Sequence, residues 1–207
     1  MRALYGRRYN ERYEALANLI QPNSTVLDIC SGPGVLYGRY LSKLQIKYTG
    51  LDLNPTFIGQ VKAFGGTGVV TDVRNAPSFP EADFVIMQAS LYHFLPDPAP
   101  ILTKMFIAAK KALIIAEPIS NFASTDFWPI KKMAGSLTDP GTGPQMLRFT
   151  ENSLDDLLNR TFDRPIRVFQ IAGGREKIYF LPTFFPQSEK DEDKVEVETL
   201  MNKRLAV

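Results

Sequence analysis

Apolar and aromatic residues recur at helical spacing from 4 to 20, with Tyr5, Tyr9 and Tyr13 four apart and Leu16, Leu19 and Ile20 extending the same side. This period predicts a leading helix. After the polar break Gln21-Pro22-Asn23-Ser24, the nearly continuous apolar run TVLDI at 25–29 reads as a buried strand. Past a glycine turn, VLYGRYLSKL at 35–44 returns to helical spacing, for about three turns.

The alternation continues. KYTGLDL at 47–53 predicts a second strand, TFIGQVKAF at 56–64 a helix, GTGVVTDV at 66–73 a third strand and DFVIMQ at 83–88 a fourth. A helix over 101–110 then leads to a fifth strand, KALIIAEP at 111–118. Strands this rich in Val, Ile and Leu need cover on both faces, which is the signature of a parallel sheet wound with helices. Between 118 and 149 the rhythm breaks: Phe122, Phe127, Trp128 and Phe149 follow no clean period, and the stretch reads as an insertion. Regular structure resumes at Thr150, a good N-cap for ENSLDDLLNR, with Glu151 at the positive helix end. PIRVFQIA and EKIYFLPTF flank Gly173-Gly174 as a hairpin. The expected fold is therefore α/β, a doubly wound, mostly parallel sheet of seven strands closed by a C-terminal antiparallel hairpin. It is expected to form one domain over 1–207, with a leading helix within 1–24, a substrate segment or lid at 118–149, a charged tail at 187–207 and no internal repeat.

Composition changes little in this picture. A chain of 207 residues suits one core, and a net charge of +2 gives too weak a field to call for nucleic acid. Arg2, Arg7, Arg8 and Arg12 read as a solvated helix face. The single cysteine, Cys30, excludes an internal disulfide, no leader of signal-peptide type is seen, and no apolar stretch nears the roughly 20 residues that cross a bilayer. A reducing, cytoplasmic setting without membrane association is expected.

Candidate chemistry gathers where the first strand ends. In open α/β sheets ligands bind beyond the carboxyl ends of the strands, and Gly32 and Gly34 would let backbone amides approach one without a Cβ in the way. Asp52, twenty residues after Gly32, stands where a carboxylate can accept from ribose hydroxyls. Tyr37 occupies the third glycine position of the dinucleotide pattern, which disfavours NAD. Asp28 is a carboxylate inside an apolar strand, costly unless a ligand ammonium or loop amides meet it, and Asp72 reaches the same edge, where a purine amino group could be held.

This arrangement resembles the class I S-adenosylmethionine-dependent methyltransferases over 25–184. LDICSGPG resembles the family's first motif, LDLN the second, TDV the third and DFVIMQASLYHF the strand-four motif, while Cys30 stands where the family often has glycine. The resemblance implies S-adenosylmethionine as cofactor and no metal. It implies Asp28, Cys30, Gly32 and Gly34 around the methionine part, Asp52 at the ribose, Leu53, Asp72 and Val73 at the adenine, and Gln88 beside the sulfonium. His93, the only histidine, is a candidate general base or a packing residue; Tyr92, Phe122, Phe127 and Trp128 are candidate substrate contacts or core.

Base methylation in nucleic acid is disfavoured. Gln88-Ala89-Ser90 follows strand four where an Asn/Asp-Pro-Pro-aromatic box would stand, Asn54-Pro55-Thr56-Phe57 follows strand two instead, and Cys30 is committed to the cofactor loop. The expected activity is methyl transfer to an oxygen or nitrogen of a small molecule. A methyltransferase-like binding or regulatory protein and an NAD-dependent oxidoreductase are the alternatives, and the oligomeric state, a homodimer included, is open.

Overall fold

The computed structural model describes residues 5–119 and 148–184. After a 3-10 turn at Gly6–Tyr9 come α1 (Glu11–Asn18), β1 (Thr25–Ile29), β2 (Lys47–Asp52), α2 (Pro55–Ala63), β3 (Thr67–Val70) and β4 (Ala82–Gln88). They are followed by α3 (Ala99–Ala108), β5 (Ala109–Pro118), α4 (Glu151–Thr161), β6 (Arg167–Ile171) and β7 (Glu176–Pro182). The seven strands lie in the order β3-β2-β1-β4-β5-β7-β6. β1 pairs in parallel with β2 on one side and β4 on the other, so strand order reverses beside β1. There the connections leave in opposite directions and open a crevice at the carboxyl ends. β7 runs antiparallel to both β5 and β6, as the hairpin expectation requires.

Side chains alternate across the sheet and build a core on each face. Leu27, Ile29, Val85, Met87, Leu113 and Ile115 meet Leu102 and Met105 of α3 and Leu154 and Leu158 of α4. The other set, Val26, Phe84, Ile86 and Ile114, packs on Leu16 of α1, on Leu36 and Leu41, and on Val61 of α2. By the same alternation Asp28 and Gln88 point to the α1 face and Glu117 to the face of α3 and α4.

Several boundaries differ from the sequence expectation. The leading period divides at Gly6, whose φ of +54° cannot continue a right-handed helix, into the 3-10 turn and α1. The helical run after the glycine turn widens to a π-helix at Tyr37–Leu41 and tightens to a 3-10 turn at Ser42–Leu44. Two tertiary contacts bear on that run. Tyr37 stacks on Tyr48 of β2 with ring centroids 4.5 Å apart, and a Cβ on Gly38 would come 2.5 Å from the Phe64 ring. β3 stops at Val70 because Asp72 turns the chain away, accepting from the amide of Arg74 at 3.1 Å. α3 ends two residues early because β5 begins directly at Ala109.

Candidate functional site

The glycine turn is built by backbone conformation. Cys30 follows β1 at φ +58°, and Gly32 and Gly34 also take positive φ, +55° and +69°. The left-handed region costs a residue with a Cβ about 1–2 kcal/mol, which explains why glycine suits position 30. The two glycines have different reasons. Around Gly32 a Cβ would meet nothing within 4 Å, so its surroundings are open, whereas a Cβ on Gly34 would lie 2.8 Å from Cγ2 of Val61. Gly34 thus lets α2 pack, and the close approach to a ligand falls to Gly32. Burial, then Asp52 and Asp28, push the Cys30 thiol far above its ordinary range, so it is held protonated and is no nucleophile.

Asp52 ends β2 and reaches across to this turn. The Gly32 amide donates to its Oδ2 at 2.8 Å and the Asn54 amide to its Oδ1 at 2.8 Å. Each carboxylate oxygen keeps a second acceptor position. Asn54 is the N-cap of α2, its Oδ1 accepting from the Thr56 amide at 2.9 Å, with Pro55 at the first helical position. Leu53 is 44% exposed, an apolar surface next to Asp52, whereas the Val73 side chain is buried. The Asp72 carboxylate is engaged by Arg74, whose Nε lies 2.9 Å from Oδ1 and Nη2 2.9 Å from Oδ2. A purine amino group would share that carboxylate with a guanidinium.

A cavity of about 140 Å³ opens on the α1 face, with Asp28, Gly32, Gln88 and Ser90 in its walls. Asp28 accepts from the Tyr48 hydroxyl at 2.7 Å through Oδ2, and its buried Oδ1 has no hydrogen-bond partner among the described residues. The amide nitrogen Nε2 of Gln88 is likewise buried without one. Burial, relieved in part by Tyr48, lifts the Asp28 pKa to about 7. Arg12 and Tyr13 form the α1 side of the same cavity. Arg12 therefore corrects the sequence reading: it is 1% exposed, ion-paired with Glu176 of β7, and its guanidinium lies 4.2 Å from the Tyr5 ring. Arg7 and Arg8 are exposed, as expected. The signal was available: position 12 lies four before Leu16 and three before Ala15, on the apolar stripe.

Beyond β4, residues Leu91–Phe94 form a 3-10 turn. Tyr92 is buried, with the His93 ring centroid 4.0 Å from its own and the Arg148 guanidinium 3.5 Å over its ring. His93 itself is half-buried. The turn is fastened by a residue the sequence reading passed over: Glu117, fully buried at the end of β5, accepts from the Leu91 amide at 3.1 Å. Burial, opposed by the Leu91 amide, raises its pKa to about 8. An acid closing an apolar strand was the visible sign, the same one that marked Asp28. Phe122, Phe127 and Trp128 lie outside the described residues.

Residues 27–112 match the family model of a methyltransferase domain. An S-adenosylmethionine-dependent methyltransferase from Aquifex aeolicus superposes with a TM-score of 0.59 at 18% identity, covering 84% of this chain and 90% of that one. The matched segment is similar to a methyltransferase domain, and the chain has the fold of S-adenosylmethionine-dependent methyltransferases.

Two further structures share the methyltransferase fold. The magnesium protoporphyrin IX methyltransferase of Synechocystis, solved with bound S-adenosylhomocysteine, gives a TM-score of 0.58 at 16% identity over 86% of this chain and 83% of that one. A Haloferax volcanii methyltransferase in complex with the Trm112 activator gives 0.63 at 15% identity over 89% and 93%. At such identities the likeness is one of fold. A search among curated proteins finds no match.

The donor set at the carboxyl ends of these strands suits the chemistry of S-adenosylmethionine: an unmet carboxylate oxygen on Asp28, an open glycine backbone at Gly32 and a carboxylate at Asp52 held against that backbone. No group of three or more potential metal ligands occurs among the described residues, and no described helix is long and apolar enough to cross a membrane.

Proposed function

We propose that the chain transfers a methyl group from S-adenosylmethionine to an oxygen or nitrogen of a small-molecule acceptor that approaches beside the end of β4. The observation that carries this reading is the hydrogen bond from Gly32 to Asp52, which holds the strand-two carboxylate against the glycine turn at the sheet's switch point. In it Asp52 accepts from the ribose hydroxyls, Leu53 offers its exposed face to the adenine, Val73 and Asp72 close that end, and Asp28 receives the ammonium with its unmet oxygen. Cys30, Gly32 and Gly34 shape the loop, and Gln88 stands next to the reacting centre.

When bound, the cofactor supplies an electrophilic methyl on a sulfonium. The protein's own part is alignment and exclusion of water. The 3-10 turn fastened by Glu117 carries Tyr92 and His93 toward the acceptor side, where His93 takes a proton or packs the turn.

Calorimetry tests the reading: S-adenosylhomocysteine is expected to give binding heat, NAD none, and Asp52→Ala to abolish the signal. Heat with NAD alone would overturn it. Turnover of at least one member of a panel of phenols, amines and carboxylic acids is expected. Loss of less than about tenfold in rate on His93→Ala, roughly 1.4 kcal/mol, would assign His93 to packing.

A further inference from the structure

Ala89, the residue directly after β4, has φ +53°, a left-handed conformation that costs a residue with a Cβ about 1–2 kcal/mol. Such a residue persists only where its surroundings over-determine it. Here the last residues of β5 do so from two points. The Ala89 amide donates to the Ala116 carbonyl at 2.7 Å, and the Leu91 amide donates to Glu117 Oε2 at 3.1 Å. Between these contacts the Ser90 hydroxyl donates to the Gln88 carbonyl at 3.1 Å. Gln88, Ala89 and Ser90 together form one part of the cavity wall. Glu117 lies outside that wall, fully buried on the opposite face of the sheet.

Stability does not explain a carboxyl at this position. Its Oε1 is buried with no hydrogen-bond partner among the described residues, and leaving a buried polar atom unmet costs about 1–3 kcal/mol. The rise of its pKa to about 8 by burial is a sign of that cost. What Glu117 does that an apolar side chain cannot is accept from the Leu91 amide. Ala116 contributes only its backbone carbonyl, which any residue would supply, so the choice of side chain matters at 117 and not at 116.

We propose that Glu117 is a positioning residue for methyl transfer: from the far face of the sheet it holds the 89–91 turn in its left-handed form and so keeps Gln88 and Ser90 aligned at the reacting centre. The proposal deepens the reading above, in which Gln88 stands next to that centre. Glu117 touches neither cofactor nor acceptor. Gly32, Asp52 and Leu53 are carried by β1 and β2, so cofactor affinity does not depend on this turn as the rate does.

The test measures kcat with the panel member that the unmodified protein turns over fastest, and S-adenosylhomocysteine affinity by calorimetry. Glu117→Met fills a similar volume without a strong acceptor. It is expected to lower kcat by about tenfold or more while affinity stays within about threefold. Glu117→Gln, which keeps an oxygen of the same reach, is expected to hold kcat within about threefold of the unmodified protein. Ala89→Gly added to Glu117→Met is expected to return about threefold of the lost rate, because glycine takes positive φ without the penalty. A role confined to folding predicts the reverse, since a second substitution that loosens the chain would lower the rate further. Should Glu117→Met not fold, Glu117→Asp, one methylene too short to reach Leu91, takes its place with the same expectations. An unchanged kcat, a matching loss of S-adenosylhomocysteine affinity, or no recovery with Ala89→Gly would overturn the role of Glu117. Absence of turnover with every panel member in the unmodified protein would instead overturn the methyl-transfer reading on which it rests.

Discussion

Asp28 and Glu117 are the two carboxyls that burial lifts to about 7 and about 8, and their consequences differ. Asp28 faces the cavity, so binding an ammonium requires its ionised form. The affinity for S-adenosylhomocysteine is expected to rise up to tenfold per pH unit below about 7 and to level off above it, and Asp28→Asn to be weaker and flat, as calorimetry from pH 6 to 8 would read. Glu117 acts on stability. Its folded pKa of about 8 exceeds the usual 4.5, so its contribution is full below about 4.5 and is lost as pH rises toward 8. Glu117→Gln, which cannot ionise, is expected to flatten the fall of Tm between about pH 5 and 8. Both acids sat in plain view at the ends of apolar runs, and Asp52 was legible from its spacing to Gly32. Arg12 was legible only through its spacing to Ala15 and Leu16 on the apolar stripe, a signal that its company with Arg7 and Arg8 outweighed.

Elements were legible wherever their pattern was local. β1, β4 and β5 announce themselves by unbroken Val, Ile and Leu, and α4 by Thr150, whose Oγ1 accepts from the Ser153 amide at 3.1 Å while Ser153 Oγ accepts from the Thr150 amide at 2.9 Å. Thr150→Ala removes half of that reciprocal cap and is expected to cost about 1 kcal/mol in urea unfolding. The widened helix at Tyr37–Leu41 could not be foreseen, because the contacts around it, Tyr48 beneath Tyr37 and Phe64 against Gly38, come from other elements. The same holds for the packing of α2. Gly34→Ala is expected to destabilise by about 1–3 kcal/mol, from positive φ and the contact with Val61, and Val61→Ala in the same chain to relieve the steric part, measurable as non-additivity in a double-mutant cycle.

Over the whole molecule, the parallel order and the antiparallel closing hairpin follow from alternation and from Gly173-Gly174, but the ties between distant segments do not. α1 is fastened to the hairpin twice, by Arg12 with Glu176 and by Glu11, whose Oε1 accepts from the Ala172 amide at 3.1 Å. Glu176→Gln is expected to speed amide exchange in α1 and in β6 and β7 together while β1 and β4 stay protected, a pattern hydrogen exchange would resolve.

Those fastenings join residues 164 and 161 positions apart, and β7 must insert between β5 and β6 before the first can form. On a ribosome the guanidinium of Arg12 is made early and its counter-ion late. Through most of translation the nascent chain can assemble the first five strands yet cannot bury that charge, and the cavity wall that Arg12 contributes would be fixed only as β7 emerges from the exit tunnel.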